Sequence, residues 1–415
     1  MDLTIDQSCP SCGAPIVVNE DDKLIECGFC NVTNFRLEST AARYLLPYSL
    51  PEDVDESEMI FVPYLRFKGV VYFVENYQVR YKIVDTTRLA VEIQSLLPSL
   101  GLRPQVMKVH PVTVAVQGRF VLQTVPVKAA FLQATKLVEL FSGKNNKKLL
   151  HRAFIGETIS LIYQPFYIKD DYIIDAVDKR RIGPAGDLLA LSGKSCSSKK
   201  SWEPHFISTR CPECGGLLKG ERDSCVLCCD NCSIHWAEEK SKLVRIQWSV
   251  AEHIQKNIKY FPFWKIKFTT TGCDLTNFGN LIRFTNQPIV LSRNDRQEPL
   301  YFLLPAFKIN PKAFLQIASQ LTMAHGKIPK GKTIGGIMSH PVTLDKGEAI
   351  QSIKSILVNL TVGNSKQLQL LPQVTVEVSR CELLFLPFVK NVHDYIQIHT
   401  PASLQVAAVR YGRSL

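Results

Sequence analysis

The sequence predicts an α+β protein built as an internal tandem duplication, each copy a four-cysteine hairpin followed by a mainly antiparallel sheet domain with one or two helices. Three observations predict it. Two sets of paired cysteines recur with one constant offset. Apolar landmarks behind the first set recur in the same order behind the second. Strand-like segments follow one another without crossover helices, which favours antiparallel pairing. On this reading residues 1–36 and 207–240 are the cysteine hairpins, 37–191 and 241–415 are the α+β domains, and 192–206 is a linker.

The first hairpin reads Cys9-Pro10-Ser11-Cys12-Gly13, then fourteen residues, then Cys27-Gly28-Phe29-Cys30. Two residues between cysteines let both sulfurs of a tight turn reach one ion. The glycine after Cys12 suits the left-handed conformation such a turn needs. Ile16-Val17-Val18 and Leu24-Ile25 flank the polar Asn19, Glu20, Asp21 and Asp22, a strand–turn–strand pattern. Folding the second turn onto the first brings four thiolates to a closed tetrahedral zinc site. With no position left for water, such a site is structural, and the metal supplies much of the folding free energy of so small a unit.

The second hairpin repeats this with Cys211, Cys214, Cys229 and Cys232, each 202 residues beyond its counterpart (211 − 9). Both units resemble the zinc-ribbon superfamily over about 35 residues each. That resemblance implies a short β structure making contacts with nucleic acid or protein. Two zinc ions are therefore expected, held by Cys9, Cys12, Cys27 and Cys30 and by Cys211, Cys214, Cys229 and Cys232. A rival assignment exists in the second ribbon, where Cys225 and Cys228 also form a Cys-x-x-Cys and could replace Cys229 and Cys232. The constant offset argues against it, because Cys225 and Cys228 then fall opposite Lys23 and Glu26. A redox role would need a helix start after each pair, and these pairs lie in a hairpin pattern. Cys196, Cys273 and Cys381 read as ordinary thiols.

In the α+β parts, Val62-Pro63-Tyr64-Leu65-Arg66-Phe67-Lys68 matches Phe261-Pro262-Phe263-Trp264-Lys265-Ile266-Lys267. Leu96 to Leu100 resembles Leu303 to Phe307, and Pro165-Phe166-Tyr167 resembles Pro387-Phe388-Val389. His110-Pro111-Val112-Thr113 and His340-Pro341-Val342-Thr343 look alike but break the steady rise of the offsets. Pairing Pro126-Val127 with Pro341-Val342 restores it and places a helical pattern after each, Ala129 to Phe141 and Glu348 to Leu357. Val70 to Val74 and Gln78 to Val84 read as a hairpin turning at Glu75-Asn76-Tyr77, with closing strands at Ile159 to Tyr163 and Tyr172 to Ile174. The polar, small stretch Ser192 to Lys200 reads as the linker.

Gly326 to Thr333 matches the phosphate-loop pattern literally, but Phe314 to Ala324 looks helical where a strand is needed, so nucleotide binding is not expected. The nine histidines carry no metalloprotease signature, and no strained Gly-x-Ser-x-Gly turn occurs. No catalytic residue is assigned.

The net charge of +11 and the pI of about 9.0 suggest an acidic partner. The charge lies in lysine- and arginine-bearing turns: Lys144, Lys147 and Lys148; Lys179, Arg180 and Arg181; Lys194, Lys199 and Lys200; Lys327, Lys330 and Lys332. The ribbons are acidic, which suits a protein contact or a structural clip better than phosphate. Basic and aromatic residues interleave at Tyr64 to Lys68 and Phe263 to Phe268, a pattern of half-buried strands or of base-stacking platforms. With no apolar run long enough for a bilayer and no secretory signal, a cytoplasmic location is expected, where cysteines are reduced. The expected function is that of a non-enzymatic scaffold or adaptor making protein–protein contacts. The alternatives are nucleic-acid binding through the basic loops and an enzyme with a site between the copies.

Overall fold

In the computed structural model, residues 4–37, 42–126, 149–192, 202, 205–253, 258–324, 326–329, 331–332, 337–363 and 366–412 are described below. The expected helix at 129–141, the basic turn at Lys144, Lys147 and Lys148, Cys196, Lys330 and most of the expected linker lie outside them. The protein is a mixed α+β chain dominated by sheet, with few helices. It forms two compact units. The first takes Met1–Lys68, Val84–Asn145 and Thr158–Thr209; the second takes Gly69–Ile83, Asn146–Glu157 and Arg210–Leu415. Two segments read from sequence as part of the first α+β domain thus pack with the second unit.

The strands up to residue 208 are β1 (Thr4–Ser8), β2 (Pro15–Asn19), β3 (Leu24–Glu26), β4 (Thr33–Leu37), β5 (Ala42–Leu45), β6 (Ile60–Glu75), β7 (Gln78–Leu89), β8 (His110–Pro111), β9 (Arg119–Phe120), β10 (Leu149–Lys169), β11 (Tyr172–Asp175), β12 (Arg181–Pro184) and β13 (His205–Ser208), with β6, β7 and β10 each shared between the two units. The main sheet runs β12-β11-β10-β5-β8, with β6 paired to β10, β7 and β9. β5 lies parallel to β10, while the β10–β11–β12 run is antiparallel.

β6 shows why this region reads as an unbroken apolar run. Side chains alternate between faces along a strand. Ile60, Val62 and Tyr64 join a core with Ile162 and Phe166, whereas Phe61 and Leu65 join another with Phe120 and Tyr163. Both faces are covered, so no polar alternation is left to see. The expected hairpin turns where predicted, through Asn76 and Tyr77 at φ 48° and 65°. Positive φ at both central positions matches the twist of the flanking strands. Asp170 and Asp171, between β10 and β11, do the same at 49° and 59°.

The second unit adds β14 (Leu218–Lys219), β15 (Val226–Cys229), β16 (His235–Glu239), β17 (Lys242–Ile246), β18 (Trp248–Val250), β19 (Ile258–Thr271), β20 (Phe302–Pro305), β21 (Thr375–Lys390), β22 (Asp394–Gln397) and β23 (Ser403–Gln405). Its main sheet runs β20-β19-β21-β22-β23, with β18 parallel to β21. β19 and β21 pair along almost their whole length, from Ile258 opposite Val389 to Thr271 opposite Thr375.

The helix Pro311–Met323 starts cleanly: Asn310 caps it by accepting from the Lys312 amide, and Pro311 occupies the first turn, where its missing N–H costs nothing. It buries Phe314, Leu315, Ile317, Ala318 and Leu321. The same unit includes the far end of β6, where the Tyr72 ring lies 6.2 Å from that of Phe314 and its hydroxyl donates to the Pro311 carbonyl at 3.4 Å. Trp264, 1% exposed, anchors the centre of β19 by donating Nε1–H to the Leu344 carbonyl at 2.9 Å. Among the described residues no helix is long and apolar enough to cross a membrane.

Leu96–Leu100 lies off the sheet, whereas Phe302–Pro305 is a strand on β19, so these two similar sequences do different structural work. His110 pairs with Leu45 on β5, while the His340 amide donates to the Tyr260 carbonyl on β19, so the shared tetrapeptide also marks two different places. Replacing Phe314 by alanine should cost about 3–5 kcal/mol, since it empties a fully packed position. Equilibrium urea unfolding, followed by tryptophan fluorescence, measures this directly.

Candidate metal centres

Each tetrad is built by two matched turns. In the first turn Cys9 N–H donates to the Ala14 carbonyl at 2.8 Å and Gly13 N–H to the Cys9 carbonyl at 2.9 Å. Gly13 has φ +76°, and an added Cβ there would meet nothing within 4 Å. Conformation, not space, selects glycine. In the second turn Cys27 N–H donates to Val32 O at 3.2 Å and Asn31 N–H to Cys27 O at 2.9 Å, with Asn31 at φ 55°. The second ribbon repeats the pattern: Cys211 to Gly216 at 2.8 Å, Gly215 to Cys211 at 2.9 Å, Cys229 to Ile234 at 2.9 Å and Ser233 to Cys229 at 2.9 Å.

These turns bring four sulfurs to one point in each ribbon, all within 4.8 Å of one another. Cys9 and Cys30 Sγ lie 3.9 Å apart, Cys12 and Cys27 3.7 Å. Cys211 and Cys232 lie 3.6 Å apart, Cys214 and Cys229 3.4 Å. A disulfide needs about 2.05 Å. Four sulfurs about 2.3 Å from a central ion in a tetrahedron stand about 3.8 Å from each other. The spacing fits a metal, and all eight thiols are free.

The electrostatics agree. Backbone amides of Cys30 and Phe29 pull the Cys27 thiol down to about 6. The Gly216 amide and the Asn231 side chain do the same for Cys214. Cys12 moves the other way, to about 12: the Ala14 amide favours its thiolate, but desolvation and the three neighbouring sulfurs outweigh it. Cys232 is likewise pushed up to about 12, against the Ile234 amide. Part of each tetrad ionises readily and the rest resists, because negative charge accumulates in one small volume. A dication removes that resistance.

Cys225 and Cys228 stand apart from the second tetrad. Cys225 is buried and ties β15 to residue 342, its N–H and its Sγ donating to the Val342 carbonyl at 2.8 and 3.3 Å. Cys228 Sγ lies 3.7 Å from the Cys229 carbonyl, and burial pushes its thiol up to about 11. His235 packs against the rings of Trp248 and Phe385, with centroids 4.4 and 5.4 Å away.

The acidic turn of the first ribbon faces its own unit. Glu20 and Asp22 are 3% and 5% exposed. Asp22 closes the turn by accepting from Asn19 N–H at 2.9 Å. Glu20 accepts from the guanidinium of Arg66 on β6, and Arg66 also holds Asp85 through two bonds of 2.9 Å. Against its burial, these two carboxylates keep Arg66 charged. Asp21 accepts from Thr158 Oγ1 at 2.7 Å and faces Lys68 Nζ at 3.6 Å. Sequence reasoning missed this network. The available signal was a charged residue, Arg66, in the middle of an apolar strand.

The ribbons also differ in how their sheets are completed. In the second, β17 pairs with β16 after a tight turn at Lys240 and Ser241. In the first, the strand against β4 is β13, from far along the chain, with His205 opposite Leu37 and Ser208 opposite Asn34.

No protein-family model, curated protein or solved structure matches the chain.

The phosphate-loop match lacks its framework: helix Pro311–Met323 precedes it, and no helix begins among the described residues until Lys346. The interleaved Tyr64, Arg66, Phe67, Lys68, Phe263 and Trp264 are all buried, leaving no stacking platform there.

Cys27→Ser should lower bound metal by one equivalent, and Cys229→Ser by the other, while Cys225→Ser and Cys228→Ser leave both in place. Elemental analysis and a chromophoric chelator measure this. Acidification should release the metal, since protons compete for the thiolates. Arg66→Met should cost about 3–5 kcal/mol by stranding the buried Glu20 carboxylate, and adding Glu20→Gln should recover most of it in urea unfolding.

Proposed function

We propose that the protein is a non-enzymatic zinc-binding scaffold in the cytoplasm, with two related modules, each a four-cysteine zinc ribbon braced on a sheet domain, presenting surfaces to protein partners. The observation that carries this reading is the pair of sulfur tetrads. Four thiolates fill a tetrahedral zinc shell and leave no position for substrate or water, so the metal's work is structural. The ligands are Cys9, Cys12, Cys27 and Cys30 in one ribbon and Cys211, Cys214, Cys229 and Cys232 in the other.

Matched backbone hydrogen bonds favour a tandem duplication. Leu46 N–H donates to Tyr163 O and Ala251 N–H to Phe385 O. Ala90 donates to Pro63 and Ala306 to Pro262; Val121 donates to Phe61 and His340 to Tyr260. Thr124 and Val125 converge on Ala90 O, as Thr343 and Leu344 do on Ala306 O. This register aligns Leu89-Ala90 with Pro305-Ala306 and Val121 with His340, replacing the alignments drawn from Leu96 to Leu100 and from Pro126-Val127.

The basic loops offer less to nucleic acid than their composition suggests. Arg180 is paired with Asp178, Arg181 lies on the Tyr172 ring, and Lys332 is paired with Glu252. The full chain should therefore pass through immobilised single- and double-stranded nucleic acid at physiological salt without retention. Retention that falls steeply with added salt would instead establish the nucleic-acid reading.

A further inference from the structure

In the second unit, β19 ends at Thr271 and the chain turns through Gly272 at φ +82°, where an added Cβ would stand 2.9 Å from the Gln373 carbonyl oxygen. The turn carries Cys273 and Asp274 to a cavity of about 250 Å³. Asn280, Arg283 and Phe284, on the helix Phe278–Phe284, and Gln367 and Leu370 also line it.

Asp274, Asn280 and Arg283 are joined in one hydrogen-bonded chain through Thr276. Thr276 Oγ1 donates to Asp274 Oδ1 at 2.9 Å and accepts from Asn280 Nδ2 at 3.2 Å. Asn280 Oδ1 accepts from Arg283 Nη2 at 2.5 Å. Asn280 is 5% exposed, so a buried amide orients the exposed guanidinium. A carboxylate and a guanidinium thus stand at the two ends of a fixed relay without bridging each other. Among the described residues neither has an ion-pair partner.

We propose that this cavity binds a small zwitterion, a free α-amino acid with an apolar side chain. Arg283 takes the carboxylate in its planar fork, and Asp274 takes the ammonium group. Phe284 and Leu370 cover the side chain. A simple carboxylate meets Asp274 and a simple amine meets Arg283, so each lone charge is disfavoured. The site is independent of the zinc ribbons and of the scaffold reading.

The test uses the full chain with L-leucine, 4-methylpentanoate and 3-methylbutylamine, the last two lacking one charged group each. L-leucine should raise the melting temperature by about 3 °C at ten times its Kd, and the two truncated probes should not. It should also slow alkylation of the half-buried Cys273 by N-ethylmaleimide, followed by peptide mass mapping. Arg283→Met should abolish both effects. If that variant melts low by itself, Arg283→Lys, which keeps the charge and loses the fork, gives the same discrimination. The proposal falls if L-leucine on the order of 10 mM leaves either readout unchanged. It falls equally if the effects survive Arg283→Met, or if either truncated probe acts as well as leucine.

Discussion

Four sulfurs gathered within 4.8 Å set the main constraint on each half of this protein. The turns that gather them are made by backbone hydrogen bonds and one left-handed residue apiece, Gly13 and Asn31 in the first pair and Gly215 and Ser233 in the second, so they are specified locally. What the turns cannot do is neutralise the charge they concentrate. Cys27 and Cys214 are drawn toward thiolate while Cys12 and Cys232 are pushed away from it. The tetrad is suited to a dication as a group, and no member of it is suited to act alone.

The ribbons are then tied to larger sheets, each in its own way. In the first, Glu20 at the tip of the hairpin inserts its carboxylate against Arg66 on β6, and β13 completes the ribbon's small sheet. In the second, Cys225 is spent on the Val342 carbonyl and β17 closes the sheet locally. The acidity of the first ribbon's turn is therefore an internal matter. Charges that looked available for a partner are 3–5% exposed at Glu20 and Asp22.

Long paired strands explain the difficulty of reading the rest. β6 and β10 are apolar on both faces because both faces are covered, which removes the two-residue period that marks a half-exposed strand. The buried aromatic residues of β6 and β19, and the buried Arg66 and Lys68 of β6, belong to such strands. Turn residues were easier to read: Asn76 and Tyr77 reverse the chain where the polar break in the apolar run predicted it.

Cysteine spacing, the glycines after each first pair, the hairpin at Asn76 and the helix before residue 324 were all legible, because each depends on residues a few positions apart. Between the two Cys-x-x-Cys choices in the second ribbon, spacing offered only a preference. The spatial arrangement set Cys225 and Cys228 aside by placing their sulfurs on backbone carbonyls. The Arg66 network and the β13–β4 pairing depend on groups brought together from distant parts of the chain. No local pattern encodes such meetings. They are decided when burial forces each charge and each open strand edge to find a partner.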